Sequence, residues 1–301
     1  MPDIRAVQIG FVGLGQMGLG MAVNLAKAGF RVLGFDLRAE ACEALRSAGG
    51  QVASDNAALV KAADVVFTSL TSPVYLQVAA EILLPLARPG QVFIDTSTIP
   101  APRARELADA YAQRSAVGLD APVTGGAAGA MRGQLRMFVG GDHGAFDRCL
   151  PILQCLCKPD GVTYGGPAGM GQVLKVVQQL KNRLTDAVRL EVIAFGLRAG
   201  LSPDLVRRAL DITRGSDDRY ETLLAAIESG RGDTLDCVLT EWPYYLEEAR
   251  AQGIPMPALE SLYRFCRDGQ KICPDAVGRM APSLWRELST RPGPLPEPGS
   301  Q

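Results

Sequence analysis

"GFVGLGQMGLG", residues 10–20, decides the fold. It carries Gly13, Gly15 and Gly18 in the spacing G-x-G-x-x-G, directly after the apolar run "AVQIGFV" at 6–12 and directly before a helical pattern that reaches Ala28. Strand, glycine turn and helix in that order open a dinucleotide-binding βαβ unit. Gly13 permits the tight turn, Gly15 lets the backbone approach a pyrophosphate, and Gly18 allows close packing of helix on strand. The helix N-terminus then faces the phosphates, with Leu14, Gln16 and Met17 completing the loop. A second strand, "FRVLGFD" at 30–36, ends on Asp36, 21 residues after Gly15, where a carboxylate accepts hydrogen bonds from the adenosine ribose. That carboxylate repels a 2′-phosphate, so NAD is expected in preference to NADP. Leu37 and Arg38 follow it, and Arg38 softens the preference.

Outward from this unit the chain alternates. A helix at 39–48 precedes "ADVVFTSL" (63–70), a helix near 74–86, "GQVFIDTS" (90–97), a helix near 100–114, "SAVGLDAPV" (115–123), "QLRMFVGG" (134–141), a helix at 144–157 and "GVTYGG" (161–166). Strands alternating with helices over short loops predict a Rossmann-type, doubly wound parallel sheet. The character then changes. From Gly169 to about Gly200 there is no strand signal and no proline, and "SPDLVRRALDIT", "RYETLLAAIES", "PYYLEEARAQG", "PALESLYRFCRDG" and "PSLWRELS" all read as helices. The expected organisation is a dinucleotide-binding domain over 1–167, an all-helical second domain over 168–290 that completes the site and carries oligomer contacts, and a disordered Pro/Gly-rich tail over 291–301.

The totals narrow the function. Net charge is −1 over 301 residues, so no global field favours nucleic acid or an acidic membrane. No apolar run approaches the ~20 residues of a membrane span, and "MPDIRAVQIGFVG" lacks a signal-peptide layout, which points to a soluble cytoplasmic protein. The seven cysteines form no framework; Cys155 and Cys157 have no second pair at zinc spacing, so reduced thiols and no metal are expected. The single histidine, His143, sits in the polar turn "GGDHGAF" and reads as a surface residue, which leaves no Ser-His-Asp triad.

A second informative stretch is "LDAPVTGGAAGAMRGQLRMFVGG" at 119–141. Thr124, Gly125 and Gly126 offer a hydroxyl and unobstructed backbone N–H groups, which suits a carboxylate or an ordinary glycine loop equally. Together with "GFVGLGQMGLGMAVNLAKAG" at 10–29, "IDTSTIP" at 94–100, "GMGQVLKVVQQ" at 169–179 and "EARAQGIPMP" at 248–257, this stretch resembles the β-hydroxyacid dehydrogenase family. That family includes 3-hydroxyisobutyrate dehydrogenases and tartronate semialdehyde reductases. The resemblance implies that Leu70 and Thr71 line the cofactor, that Thr98 lies near the nicotinamide, and that Thr124, Gly125 and Gly126 hold the substrate carboxylate, with threonine where a serine is usual. It also implies Lys175 as general acid and base, Gln179 as a substrate-orienting amide, and a small carboxylate-bearing substrate. A helix of about 30 residues is exposed if left alone, so a homodimer or homotetramer with contact through the second domain is expected.

Lys175 has a plainer reading beside this one. Lys175, Gln178, Gln179, Asn182, Asp186 and Arg189 recur at helical spacing as one polar stripe, with Val173, Val177, Leu180, Leu184 and Val188 opposite. Such a stripe faces either water or a cleft. Two departures from the family pattern stand out. Gln178 and Gln179 stand where the family usually has Asn-Asn or Asn-Gln, so Gln178 adds a methylene at the first position, and Thr240 with Glu241 aligns with a lysine–aspartate pair near the cofactor. They leave open a rival: an NAD-binding relative with lost or changed chemistry, such as reduction of an imine.

Overall fold

The structure, a computed structural model, describes residues 6–212, 218–228, 241–267, 273–274 and 280–281. Thr240, the helix expected over 282–289 and the tail at 291–301 lie outside these residues. The chain divides into two compact units, Met1–Val177 and Gln178–Gln301, so the division falls inside the long helix that follows the 165–171 loop.

In the first unit, β1 (Gln8–Val12), β2 (Arg31–Phe35), β3 (Gln51–Val52), β4 (Val65–Thr68), β5 (Val92–Asp95) and β6 (Val117–Asp120) form a parallel array in the order β3-β2-β1-β4-β5-β6. The helices between them are α1 (Gly18–Lys27), α2 (Ala39–Ser47), α3 (Asn56–Ala62), α4 (Ser72–Val78), continued through a π-helical turn at Ala79–Leu83 into α5 (Leu84–Leu86), and α6 (Ala101–Ala112). β3 and α3 had no expected counterpart; Asp55 accepts the Ala58 N–H at 2.7 Å and starts α3.

Alternation along each strand explains why the sheet is buried on both faces. Ile9, Phe11, Val65, Phe67, Val92 and Ile94 enter one core with Leu25 of α1 and Leu45 of α2. Val12, Val66 and Phe93 enter the other with Leu59 of α3, Tyr75 of α4 and Tyr111 of α6. Phe11 stacks on Phe67 at 5.5 Å in the first core, and Phe93 stacks on Tyr111 at 4.3 Å in the second.

The parallel pattern ends at β6. A short β7 (Val123–Thr124), α7 (Gly126–Met131), β8 (Leu135–Gly141), α8 (His143–Gln154) and β9 (Cys157–Gly166) follow. β8 pairs antiparallel with both β6 and β7, and β9 runs parallel to β8. The six parallel strands are the doubly wound sheet that the sequence predicts, and the sheet becomes mixed only at this edge. The reason is local: α7 has six residues, too little chain for a crossover that needs a dozen or more, so β8 returns against β6.

α9 (Met170–Arg198) runs from the first unit into the second. The second unit adds α10 (Pro203–Ala209), α11 (Asp218–Glu228), α12 (Trp242–Ala251) and α13 (Pro257–Arg267). Arg207 joins Asp204 at 2.8 Å and Glu221 at 2.8 Å, and Arg219 joins Asp186 at 2.7 Å. A two-residue antiparallel ladder, β10 (Cys273–Pro274) with β11 (Met280–Ala281), departs from the all-helical expectation. Among the described residues no helix is long and apolar enough to cross a membrane.

Candidate active site

The parallel strands bring their carboxyl ends to one edge of the sheet. The residues after β1 (13–18), β2 (36–38), β4 (70–71) and β5 (98) therefore share that edge, where open α/β sheets hold ligands. In the first turn, Gly13 has φ +89° and donates its N–H to the Phe35 carbonyl at 3.0 Å. A Cβ on Gly18 would stand 2.0 Å from the Gly13 carbonyl oxygen, and one on Gly13 would stand 2.5 Å from that of Ser69. These two glycines are thus demanded by the protein's own packing. Gly15 is different: a Cβ there would meet nothing closer than Arg38 Nη2 at 3.9 Å. Nothing in the protein's own packing requires a glycine there. No side chain caps α1; in its first turn the Leu19 N–H bonds the Gly15 carbonyl at 3.1 Å, and the N-terminus of such a helix favours an anion. This turn fits a dinucleotide pyrophosphate.

Asp36 lies beside it. Its carboxylate accepts the Leu14 N–H at 2.8 Å, the Arg38 N–H at 2.9 Å and Arg38 Nε at 3.0 Å. Partial burial acts to raise its pKa, but the hydrogen bonds from Arg38 and Leu14 outweigh this and hold it below the ordinary carboxylate value. Asp36 is therefore a fixed negative charge, with Arg38 folded back onto it and onto the Leu14 carbonyl at 2.9 Å. Leu37 points outward, 93% exposed.

The loops after β4 and β5 are joined by buried polar groups. Asp95 accepts from Thr68 Oγ1 at 2.7 Å and from the Ser97 N–H at 3.0 Å, while Ser97 Oγ accepts the Leu70 N–H at 3.1 Å. Leu70 and Thr98 are thus tied to one scaffold, and Thr71 opens α4. The other Asp95 oxygen, Oδ2, is buried with no hydrogen-bond partner among the described residues. Burial pushes the Asp95 carboxyl up to about 7 against the pull of Ser97 and Thr68.

The same pattern recurs at the end of β6. Asp120 accepts the Gly169 N–H at 2.7 Å and the Gln172 N–H at 2.9 Å, so it caps the start of α9. Burial pushes its pKa up to about 6, and those N–H groups act in the opposite sense. The approach is close enough to require glycine: a Cβ on Gly171 would lie 2.5 Å from the Asp120 carbonyl oxygen and 2.6 Å from that of Phe138.

Five residues into α9, Lys175 is 5% exposed and its Nζ donates to the Val123 carbonyl at 2.8 Å. Its polar stripe does not face water at this point. The valines opposite do, with Val177 61% and Val188 60% exposed. Val123 precedes Thr124, Gly125 and Gly126, so the ammonium is fixed one residue from that loop. Gly125 (φ +137°) and Gly126 (φ +65°) adopt backbone that disfavours side chains, and a Cβ on Gly126 would meet nothing within 4 Å. Gln179 lies one turn beyond Lys175 on α9 and is partly buried. His143 is a surface residue, with Nδ1 3.1 Å from Asp147.

Asp95, Ser97, Asp120 and Gln172 are the polar residues that sequence reasoning passed over. A signal existed for two of them: "VFID" and "VGLD" each close an otherwise apolar strand on an aspartate. What those acids touch is visible only in the fold.

A six-strand parallel array with a glycine-turn dinucleotide site defines the class, an NAD-binding α/β domain followed by helices. Residues 8–166 match the family described as the NAD binding domain of 6-phosphogluconate dehydrogenase. The chain is 34% identical over 218 residues to mouse mitochondrial 3-hydroxyisobutyrate dehydrogenase; the match covers 70% of this chain and 64% of the mouse protein. It superimposes with a TM-score of 0.76 at 28% identity on Mycobacterium tuberculosis 3-hydroxyisobutyrate dehydrogenase with L-serine, covering 87% of this chain and 94% of that one. A third similarity, TM-score 0.70 at 27% identity over 93% of this chain and 99% of the other, is to Psf3 in complex with NADP+ and 2-OPP. The chain belongs to the β-hydroxyacid dehydrogenase family.

Proposed function

We propose that the protein is an NAD-dependent oxidoreductase acting on a small 3-hydroxy acid and the matching semialdehyde. One observation carries this reading. The buried Lys175 ammonium is held 2.8 Å from the Val123 carbonyl, beside the Thr124-Gly125-Gly126 loop, on a helix anchored to the loop that contains Thr98. The names of the mouse and mycobacterial relatives agree with that substrate class.

When bound, the nicotinamide ring supplies or accepts the hydride. The chain does the rest. The Gly13–Gly18 turn and the α1 N-terminus hold the pyrophosphate, Asp36 accepts from the adenosine ribose, and Leu70, Thr71 and Thr98 line the cofactor. Thr124, Gly125 and Gly126 hold the substrate carboxylate through a hydroxyl and backbone N–H groups, with Gln179 orienting the remainder. During reduction Lys175 Nζ donates a proton to the substrate carbonyl oxygen; during oxidation neutral Nζ takes the hydroxyl proton. Asp36 favours NAD because a carboxylate and a 2′-phosphate repel, although the relative that binds NADP+ makes the preference a point to measure.

Gln178, where an asparagine is usual in the family, favours a second reading: an NAD-binding member with lost or altered chemistry, such as imine reduction. One experiment separates them. NADH oxidation at 340 nm is followed against small semialdehydes, keto acids and cyclic imines, then repeated with NADPH. Turnover of a carboxylate-bearing semialdehyde with NADH supports the first reading. Turnover of imines alone, or binding of NADH without turnover, supports the second and overturns the first.

A further inference from the structure

Gln172 is 1% exposed and uses three polar groups on two other segments of the first unit. Its N–H donates to Asp120 Oδ2 at 2.9 Å, its Nε2 donates to the Ser97 carbonyl at 2.9 Å, and its Oε1 accepts the Ile99 N–H at 3.2 Å. The side-chain amide thus brackets Thr98 on both sides, while its own backbone sits three residues before Lys175. Helical geometry makes those three residues a rigid step of ~4.5 Å along the axis. On the other side, Asp120 carries the strand that leads to Val123, whose carbonyl receives Lys175 Nζ.

These bonds close a loop of contacts: 97–99 to Gln172, Gln172 to Lys175 through the helix, Lys175 to Val123, and Asp120 back to Gln172. An apolar side chain of equal length would fill the same volume. It would leave the Ser97 carbonyl and the Ile99 N–H buried without partners, each costing more than the bond itself gained. The amide, with one donor and one acceptor at its end, is the side chain that answers a carbonyl and an N–H two residues apart.

We propose that Gln172 is a positioning residue that locks the 97–99 loop to the first turns of α9, so that a dinucleotide seated against Thr98 and the Lys175 ammonium keep a fixed register. The proposal rests on the roles given above to Thr98 and Lys175, and its test does not depend on turnover alone. Amide hydrogen exchange is measured on the wild-type protein with and without NADH, reading peptides that cover 97–99 and 169–175. NADH is expected to slow exchange in both. In Gln172→Met, NADH is expected to slow exchange at 97–99 only. The same variant is expected to lose at least tenfold in kcat, with the substrate KM and the NADH Kd within threefold of wild type.

A residue that only adds stability would lower Tm and leave kcat unchanged well below it. Unchanged kcat in a folded Gln172→Met, or 169–175 peptides that ignore NADH in the wild type, overturns the proposal. The wild-type arm decides even where the variant does not fold. Coupled exchange in a wild-type protein that reduces no semialdehyde leaves the linkage standing and removes the substrate reading.

Discussion

Lys175 combines burial with a single-residue offset from the Thr124-Gly125-Gly126 loop, and those two facts set the first expected outcome. Lys175→Met keeps the aliphatic stem and removes the proton. It should lower kcat at least ~100-fold, the usual contribution of a positioned acid–base group, while NADH binding by fluorescence stays near wild type. A variant retaining more than about a tenth of the rate would remove Lys175 from proton transfer, since general acid–base catalysis contributes more than that. Asp95 makes a prediction about stability. Its folded-state pKa of about 7 lies above the ordinary carboxylate value because it is buried, so the folded state holds its proton where the unfolded chain has lost it. Its contribution is therefore fully present below about pH 4, the unfolded carboxylate pKa, and is lost as pH rises through 7. Asp120, pushed up to about 6, acts in the same sense over a narrower window. Asp95→Asn should flatten the fall in Tm across the window between the unfolded carboxylate pKa of about 4 and the folded value of about 7, and raise Tm above that window. An unchanged Tm–pH slope would show that Asp95 is already ionised in the folded protein.

At the scale of elements, the β1–α1 turn separates glycines that the protein's own packing requires from one, Gly15, that it does not. A Cβ on Gly18 would lie 2.0 Å from backbone oxygen, so Gly18→Ala should cost roughly 1–3 kcal/mol or more, as overpacking does. Gly15→Ala meets nothing within 3.9 Å and should fold within about 0.5 kcal/mol of wild type, as unobstructed surface changes do. Yet Gly15→Ala should weaken NADH binding at least tenfold, because the methyl occupies the line of approach of the pyrophosphate. Denaturant unfolding and NADH titration of the two variants check this pair. Equal NADH affinity in Gly15→Ala and wild type would move the pyrophosphate away from the turn. α9 shows the same division of labour along one helix. Its first turns are fixed by Asp120, Gln172 and Lys175, and further along it presents Val188 and Phe195, 60% and 77% exposed.

For the whole molecule, that apolar exposure carries a prediction of assembly. Val188, Val192 and Phe195 lie within two turns of one another on α9 and are exposed, and apolar side chains left open to water in this way favour burial against a partner. A homodimer or homotetramer is expected, with α9 at its interface. Sedimentation velocity at micromolar concentration should give a dimer or larger, and Phe195→Glu should shift it towards monomer. A wild-type protein that sediments only as monomer would assign that surface elsewhere.

The parts of this protein that its sequence determined by itself are those governed by local sterics and period. The G-x-G-x-x-G turn, Asp36 at the end of β2, the alternating apolar strands and the long helix from Met170 all follow from neighbours a few residues apart. The antiparallel return of β8 was not legible in that way, since β8 itself reads as any other apolar strand; the brevity of α7 sets its direction. Nor was the burial of Lys175, because its stripe has the composition of a wet helix face. The roles of Asp95, Asp120 and Gln172 were hidden for a further reason. Gln172 meets Asp120 across 52 residues, Ile99 across 73 and Ser97 across 75. A buried polar side chain is paired only where the fold supplies a partner, and separations of that length exist as contacts only after the sheet has brought its carboxyl ends to one edge.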